Sequence, residues 1–179
     1  YTYDRPGHRL RKVHFSQTSN QTLCAEVRYL PGLEIHSQAD GEVHHVISAE
    51  AGRCSVRALH WPDGAHVDQL RYSLGDHLGS STLELDDEAG VLTQEHYYPF
   101  GGTACWAGKS VLVAKYKTIR YSGKERDATG LYYYGYRYYA PWLQRWLVPD
   151  PAGSVNGIHL FCFVSNKPVN FKDLDGRFY

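Results

Sequence analysis

The feature that most constrains this chain is an alternation of apolar and polar residues, broken by a turn signal about every ten residues. From Leu23 to Trp61 it reads LCAEVRYLPGLEIHSQADGEVHHVISAEAGRCSVRALHW. Pro31-Gly32, Asp40-Gly41 and Ala51-Gly52 supply the turns. A period of two is that of a strand whose successive side chains point to opposite faces. With turns this close together, the strands must run antiparallel in a meander.

The stretch HVDQLRYSLGDHLGSSTLELDDEAGVLTQEHYYPFGG repeats the pattern. Leu83 and Leu85 alternate with Thr82 and Glu84, DDEAG forms a hairpin tip, and VLTQEHYYPF is the returning strand. Only GTACWAGKSVLVAKYK has room for a short helix or an irregular excursion. Fifteen tyrosines, six phenylalanines, four tryptophans and 17 glycines lean the same way, since aromatic residues favour strands. YTYDRPGHRLRKVHF, LRYSLGDHLGSSTLEL, EHYYPFGGTA and IRYSGKERDATGLYYYGYRYY share one grammar: an aromatic strand, a polar turn with glycine, another strand. One such hairpin cannot bury its apolar face alone; stacked hairpins are expected to bury it against their neighbours. The expected fold is therefore all-β, an antiparallel, coiling sheet of hairpins. No linker or low-complexity tract divides it.

Charge excludes some functions. Nineteen basic residues balance 19 acidic ones, which argues against a nucleic-acid footprint. No apolar run reaches the roughly 18 residues of a membrane span. The first residues lack the layout of a signal peptide and the chain has no methionine, so it reads as a piece of something longer. Cys24, Cys54, Cys105 and Cys162 are too widely spaced for a zinc site and are expected as buried free thiols. His44 and His45 point to opposite faces of a strand, so no metal site is expected, and no cofactor is implied.

Several segments together resemble a known family. YTYDRPGHR is similar to a tyrosine–aspartate (YD) repeat. DHLGSSTLELDDEAGVLTQEHYYPFGGT, then YSGKERDATGLYYYGYRYYAPWLQRWLVPDPAG and HLFCFVSNKPVNFKDLDG, resemble Rhs proteins and their repeat-associated core. Within that group the chain is most similar to the C subunit of bacterial ABC-type Tc insecticidal toxins. The resemblance implies that residues 1–94 are shell strands and residues 95–179 are the core that closes the shell. The implied partners are other shell repeats, a B-type subunit and the protein's own C-terminal toxin cargo, in a secreted complex. It also implies an aspartic-type self-cleavage, acting once in cis, that severs the toxic region. Two alternatives stay open: the core of a contact-dependent or secreted Rhs toxin, and a structural or adhesive YD-repeat module without protease activity.

The family's self-cleavage centre is an arginine and two aspartates, and the matching positions are Arg137 in YGYRYYAP, Asp150 in VPDPAG and Asp173 in NFKDLDG. Two neighbouring carboxylates do not both ionise cheaply, so one can act as base and the other as acid. The cleavage region is Gly176, Arg177 and Phe178, where Arg177 stands in place of the family's usual bulky apolar residue. The same residues have simpler readings. Asp150 and Asp173 suit turns, Gly176 suits a positive φ, and Arg137 suits an ion pair or a stack on an aromatic ring. For the tyrosine run, strand alternation puts Tyr132, Tyr134, Tyr136 and Tyr138 in one ladder, with Arg137 on the other face beside Tyr133 and Tyr139. Trp142, Trp146 and Leu147 are expected to pack together as a plug, with Arg145 snorkelling.

Overall fold

A computed structural model describes every residue except Asn20, Arg53, Phe178 and Tyr179. Ten strands follow one another: β1 (Thr2–Arg5), β2 (His8–Gln17), β3 (Thr22–Leu30), β4 (Leu33–Ser37), β5 (Val43–Ala51), β6 (Cys54–His60), β7 (Gln69–Gly75), β8 (Ser81–Leu85), β9 (Val91–Tyr97) and β10 (Thr103–Gly108). Each pairs antiparallel with the next, giving one ten-stranded sheet in sequence order. The expected turns fall between strands: Pro31-Gly32 joins β3 to β4, and Asp40-Gly41 lies between β4 and β5. The short helix α1 (Val111–Lys115) sits in the predicted excursion, capped by the Ser110 side chain. A second, four-stranded sheet follows: β11 (Glu125–Arg126), β12 (Tyr132–Tyr133), β13 (Tyr138–Ala140) and β14 (Arg145–Trp146). Among the described residues no helix is long and apolar enough to cross a membrane.

The segment after α1 covers one face of the large sheet, and the covered face is rich in charge. Arg57 donates to the Tyr116 carbonyl at 3.0 Å, and the Lys117 ammonium to the Ser81 carbonyl at 2.8 Å. Arg120 meets both carboxylate oxygens of Glu95 at 2.8 Å. Arg9 and Lys12 both pair with Glu125 and with Asp127. Burial offsets part of this attraction and holds the Lys117 pKa down at about 8.

The opposite face carries Leu30, Ile47, Leu70, Tyr72 and Leu74, all exposed. This differs from the expectation that neighbouring hairpins bury the apolar face. Neighbours in a sheet meet edge to edge through their backbones, so they leave both faces uncovered. The cysteines also differ from expectation. All four are free, but Cys24, Cys54 and Cys105 are exposed and Cys162 is only half-buried. Cys24 and Cys54 fall at strand positions that alternate away from the covered face.

A small apolar cluster of Val46, Leu59, Trp61 and Tyr116 lies between the large sheet and the segment after α1, and the larger apolar core lies under the small sheet. Tyr121, Tyr132, Tyr134, Tyr139, Trp146 and Phe163 pack there with Leu78 and Val164. The Tyr139 and Phe163 rings stack at 3.9 Å between centroids. The tyrosine run is therefore not one ladder. Gly135, at φ +110, turns the chain back, and Tyr134 N–H donates to the Arg137 carbonyl at 3.1 Å. Tyr132 pairs with Tyr139 and Tyr133 with Tyr138 across a hairpin. Parity fails because it assumes an unbroken strand. The expected plug also shrinks: Trp146 is buried, whereas Trp142, Leu147 and Arg145 are exposed.

Candidate functional site

Arg137, Asp150 and Asp173 are widely separated in sequence, and the fold brings them together. Arg137 leaves the Gly135 turn just before β13 with its guanidinium stacked on the buried Trp146 ring, 4.1 Å from the centroid. One of its nitrogens lies 2.8 Å from Asp150 Oδ2 and 3.5 Å from Asp173 Oδ2. A second donates to the Leu160 carbonyl at 3.3 Å, and Nε donates to the Gly176 carbonyl at 2.6 Å. The guanidinium thus spans two carboxylates and the backbone of the C-terminal segment.

Each aspartate also serves a turn, as its simpler reading requires. Asp150 Oδ1 accepts from the Ala152 N–H at 2.9 Å. Asp173 Oδ1 accepts from Asp175 N–H at 3.1 Å and Gly176 N–H at 2.7 Å. In both residues one oxygen fixes the loop and the other faces Arg137. The turn role and the site role are therefore the same geometry seen from two ends of one carboxyl group.

The two carboxyls differ in setting. Asp173 is almost wholly buried, and burial raises its pKa against the opposing pull of two N–H donors and Arg137. A raised pKa favours the protonated form. Asp150 borders a small polar cavity of about 20 Å³, lined also by Arg137, His159, Cys162 and Ser165. That volume suits a single water molecule. Burial also pulls the Arg137 pKa down, and Asp150 and Asp173 oppose it.

The C-terminal segment passes very close to the hairpin. Tyr136 N–H donates to the Asp175 carbonyl at 2.9 Å. A Cβ on Gly176 would sit 3.0 Å from Arg137 N, and one on Gly135 would sit 3.0 Å from the Asp175 carbonyl oxygen. Both glycines have positive φ, so each meets a conformational and a steric demand. Of the cleavage region expected from sequence, Gly176 and Arg177 lie beside the cluster, and Phe178 is outside the described residues. Sequence reasoning missed Asp175, Tyr136 and Gly135. The resemblance singled out Asp173 within Asp173-Leu174-Asp175-Gly176, and nothing in that spacing pointed to Asp175. Among the described residues, no group of three or more His, Cys, Asp or Glu side chains is placed to hold a metal ion.

The fold, nearly all antiparallel sheet with few helices, matches the all-β YD-repeat shell fold of Tc toxin neighbours. No protein-family model matches the chain. Its sequence is 47% identical over 185 residues to toxin subunit YenC2 of Yersinia entomophaga, covering 98% of this chain and 19% of that protein. A crystal structure of TcdB2-TccC3-TEV superposes with a TM-score of 0.91 at 50% identity, over 98% of this chain and 9% of that one. A Tc holotoxin pore from Photorhabdus luminescens gives 0.89 at 50% identity, over 97% of this chain and 8% of that one. The chain thus spans about a fifth of the length of the curated relatives it matches.

Proposed function

We propose that this chain is an end segment of a toxin-encapsulating Rhs-type cage, and that its Arg137–Asp150–Asp173 centre cuts the chain just beyond Gly176 to free a C-terminal toxic region. Residues 1–94 would serve as shell strands and 95–179 as the closing core. The partners would be further shell repeats, a B-type subunit and the tethered cargo, in a secreted complex. The observation that carries the reading is the convergence of one arginine and two unlike carboxyls on the backbone of the chain's own C-terminal segment.

The chemistry follows from that placement. Asp150, beside the one-water cavity, takes a proton from water as the oxygen attacks the scissile carbonyl. Asp173, whose burial favours its protonated form, supplies the proton that leaves with the amine. Arg137 fixes the Gly176 carbonyl and so sets which peptide bond lies over the carboxyls. In a chain carrying a foreign domain after Tyr179, that domain should be released within a few residues of Gly176. Asp150→Asn and Asp173→Asn should leave it attached, and Arg137→Lys should slow release. An intact wild-type fusion, in a protein shown to be folded, would leave only the structural reading. Equal release in the two Asn variants would move the chemistry to other residues.

A further inference from the structure

Arg177 follows Gly176 directly and is held on several sides. Arg177 Nε donates to Asp175 Oδ2 at 2.8 Å, and a terminal guanidinium nitrogen lies 2.6 Å from the same oxygen. Asp175 Oδ1 accepts from the Arg177 backbone N–H at 3.1 Å. On its flat side the guanidinium carbon lies 4.3 Å from the centroid of the Tyr136 ring. Ring and carboxylate belong to one frame, because Tyr136 N–H donates to the Asp175 carbonyl at 2.9 Å. The ring is itself braced against the β1–β2 turn, where a Cβ on Gly7 would come within 2.8 Å of it.

We infer that Tyr136 and Asp175 form a recognition site for a basic side chain at position 177, which selects and registers the strand entering the Arg137 centre. The inference rests on the self-cleavage reading above. Arg137 holds the Gly176 carbonyl, and Asp175 with Tyr136 holds the next side chain. Two consecutive residues are then anchored, and the following backbone is delivered in one register. A guanidinium suits both partners at once, since its edge pairs with a carboxylate while its face stacks on a ring. An apolar residue would keep the ring contact and leave Asp175 without its cation. A glutamate would set two carboxylates side by side. Tyr136 and Asp175 are positioning residues in this account and take no proton from the reaction.

The test follows release of the foreign domain from the chain fused after Tyr179, by intact mass over time. Arg177→Glu should slow release by roughly tenfold, the size expected when a partly exposed ring contact and an ion pair are lost and like charges are introduced. Arg177→Lys should stay within about threefold of wild type, because it keeps the charge and loses the planar fork. Adding Asp175→Asn to Arg177→Glu should recover several-fold of the lost rate, a rescue that simple misfolding would not give. Release by Arg177→Glu at the wild-type rate would overturn the inference, and so would the absence of rescue. Failure of the wild-type fusion to cut would instead overturn the self-cleavage reading on which it rests.

Discussion

Glu95→Gln tests why the segment after α1 docks on the large sheet at all. The Glu95 side chain is fully buried and accepts from Arg120 twice at 2.8 Å, from Thr103 at 2.7 Å and from Tyr97 at 2.8 Å. The Lys117 ammonium lies 3.9 Å away. Glutamine has the same shape and keeps part of the hydrogen bonding. It removes the negative charge and leaves Arg120 and Lys117 facing each other with Glu84 as the remaining buried counter-charge. Breaking one side of a buried ion pair costs about 3–5 kcal/mol, and the isosteric amide sets the lower end, about 3 kcal/mol. In urea, with a slope of about 2 kcal/mol per molar for a domain of this size, the midpoint should fall by about 1.5 M. Tryptophan fluorescence is a suitable probe, since Trp146 is buried in the core that this segment carries. The pH dependence gives a second reading. The folded pKa of Lys117 is about 8, below its ordinary value, so the unfolded chain holds the proton more tightly. Stability from this group therefore rises with pH above about 8, and the variant should show that rise from a lower pH. A midpoint shift corresponding to less than about 1 kcal/mol, in a folded protein, would refute the view that this layer locks the two parts together.

Two further outcomes follow from particular residues. His44 is buried, stacked on His36 at 4.6 Å, with Nδ1 3.1 Å from Glu42 Oε1 but not hydrogen-bonded to it; Tyr116 and Lys115 close the site from the segment at α1. Burial first, and then the His36 charge, hold its pKa down at about 4. Its folded pKa lies below its unfolded one, so stability is full above about pH 6.5 and falls, by at most about 3 kcal/mol, as pH drops toward 4. Urea titrations between pH 7 and 4.5 should show the loss, and His44→Phe should flatten it; an unchanged slope in the variant would reject the assignment. Gly176→Ala should cost about 1–3 kcal/mol from its φ of +86 alone and slow tail release, because its Cβ would push the strand off Arg137. Wild-type release from this variant would show that the strand's path past Arg137 is not what the cut requires.

Much of the large sheet was legible because its turns are chemical. Pro31-Gly32 and Asp40-Gly41 mark strand ends that long-range contacts do not move. Which face would be covered was not legible. Arg57, Arg71, Glu84 and Glu95 look like solvent-facing members of alternating strands, yet they are buried. Arg57 meets Tyr116 and Thr118, Arg71 meets Val113, and Glu95 meets Lys117 and Arg120, tens of residues away along the chain, and no local period records such pairing. The tyrosine run misled for a related reason. Gly135 sits inside an otherwise continuous strand pattern, and its φ of +110 converts a ladder into a hairpin. That turn places Arg137 between Trp146 and the two aspartates. The convergence of Arg137, Asp150 and Asp173 came from the family resemblance; their residue types alone fit turns and ion pairs equally well.

The most direct test of self-cleavage is a time course of intact mass for the chain with a foreign domain fused after Tyr179, repeated over a hundredfold range of dilution. A tethered substrate makes the reaction unimolecular, so a single first-order rate should hold at every dilution, with the new end falling within a few residues of Gly176. An uncut wild-type fusion that is demonstrably folded, or a rate that falls in proportion to concentration, would contradict the account.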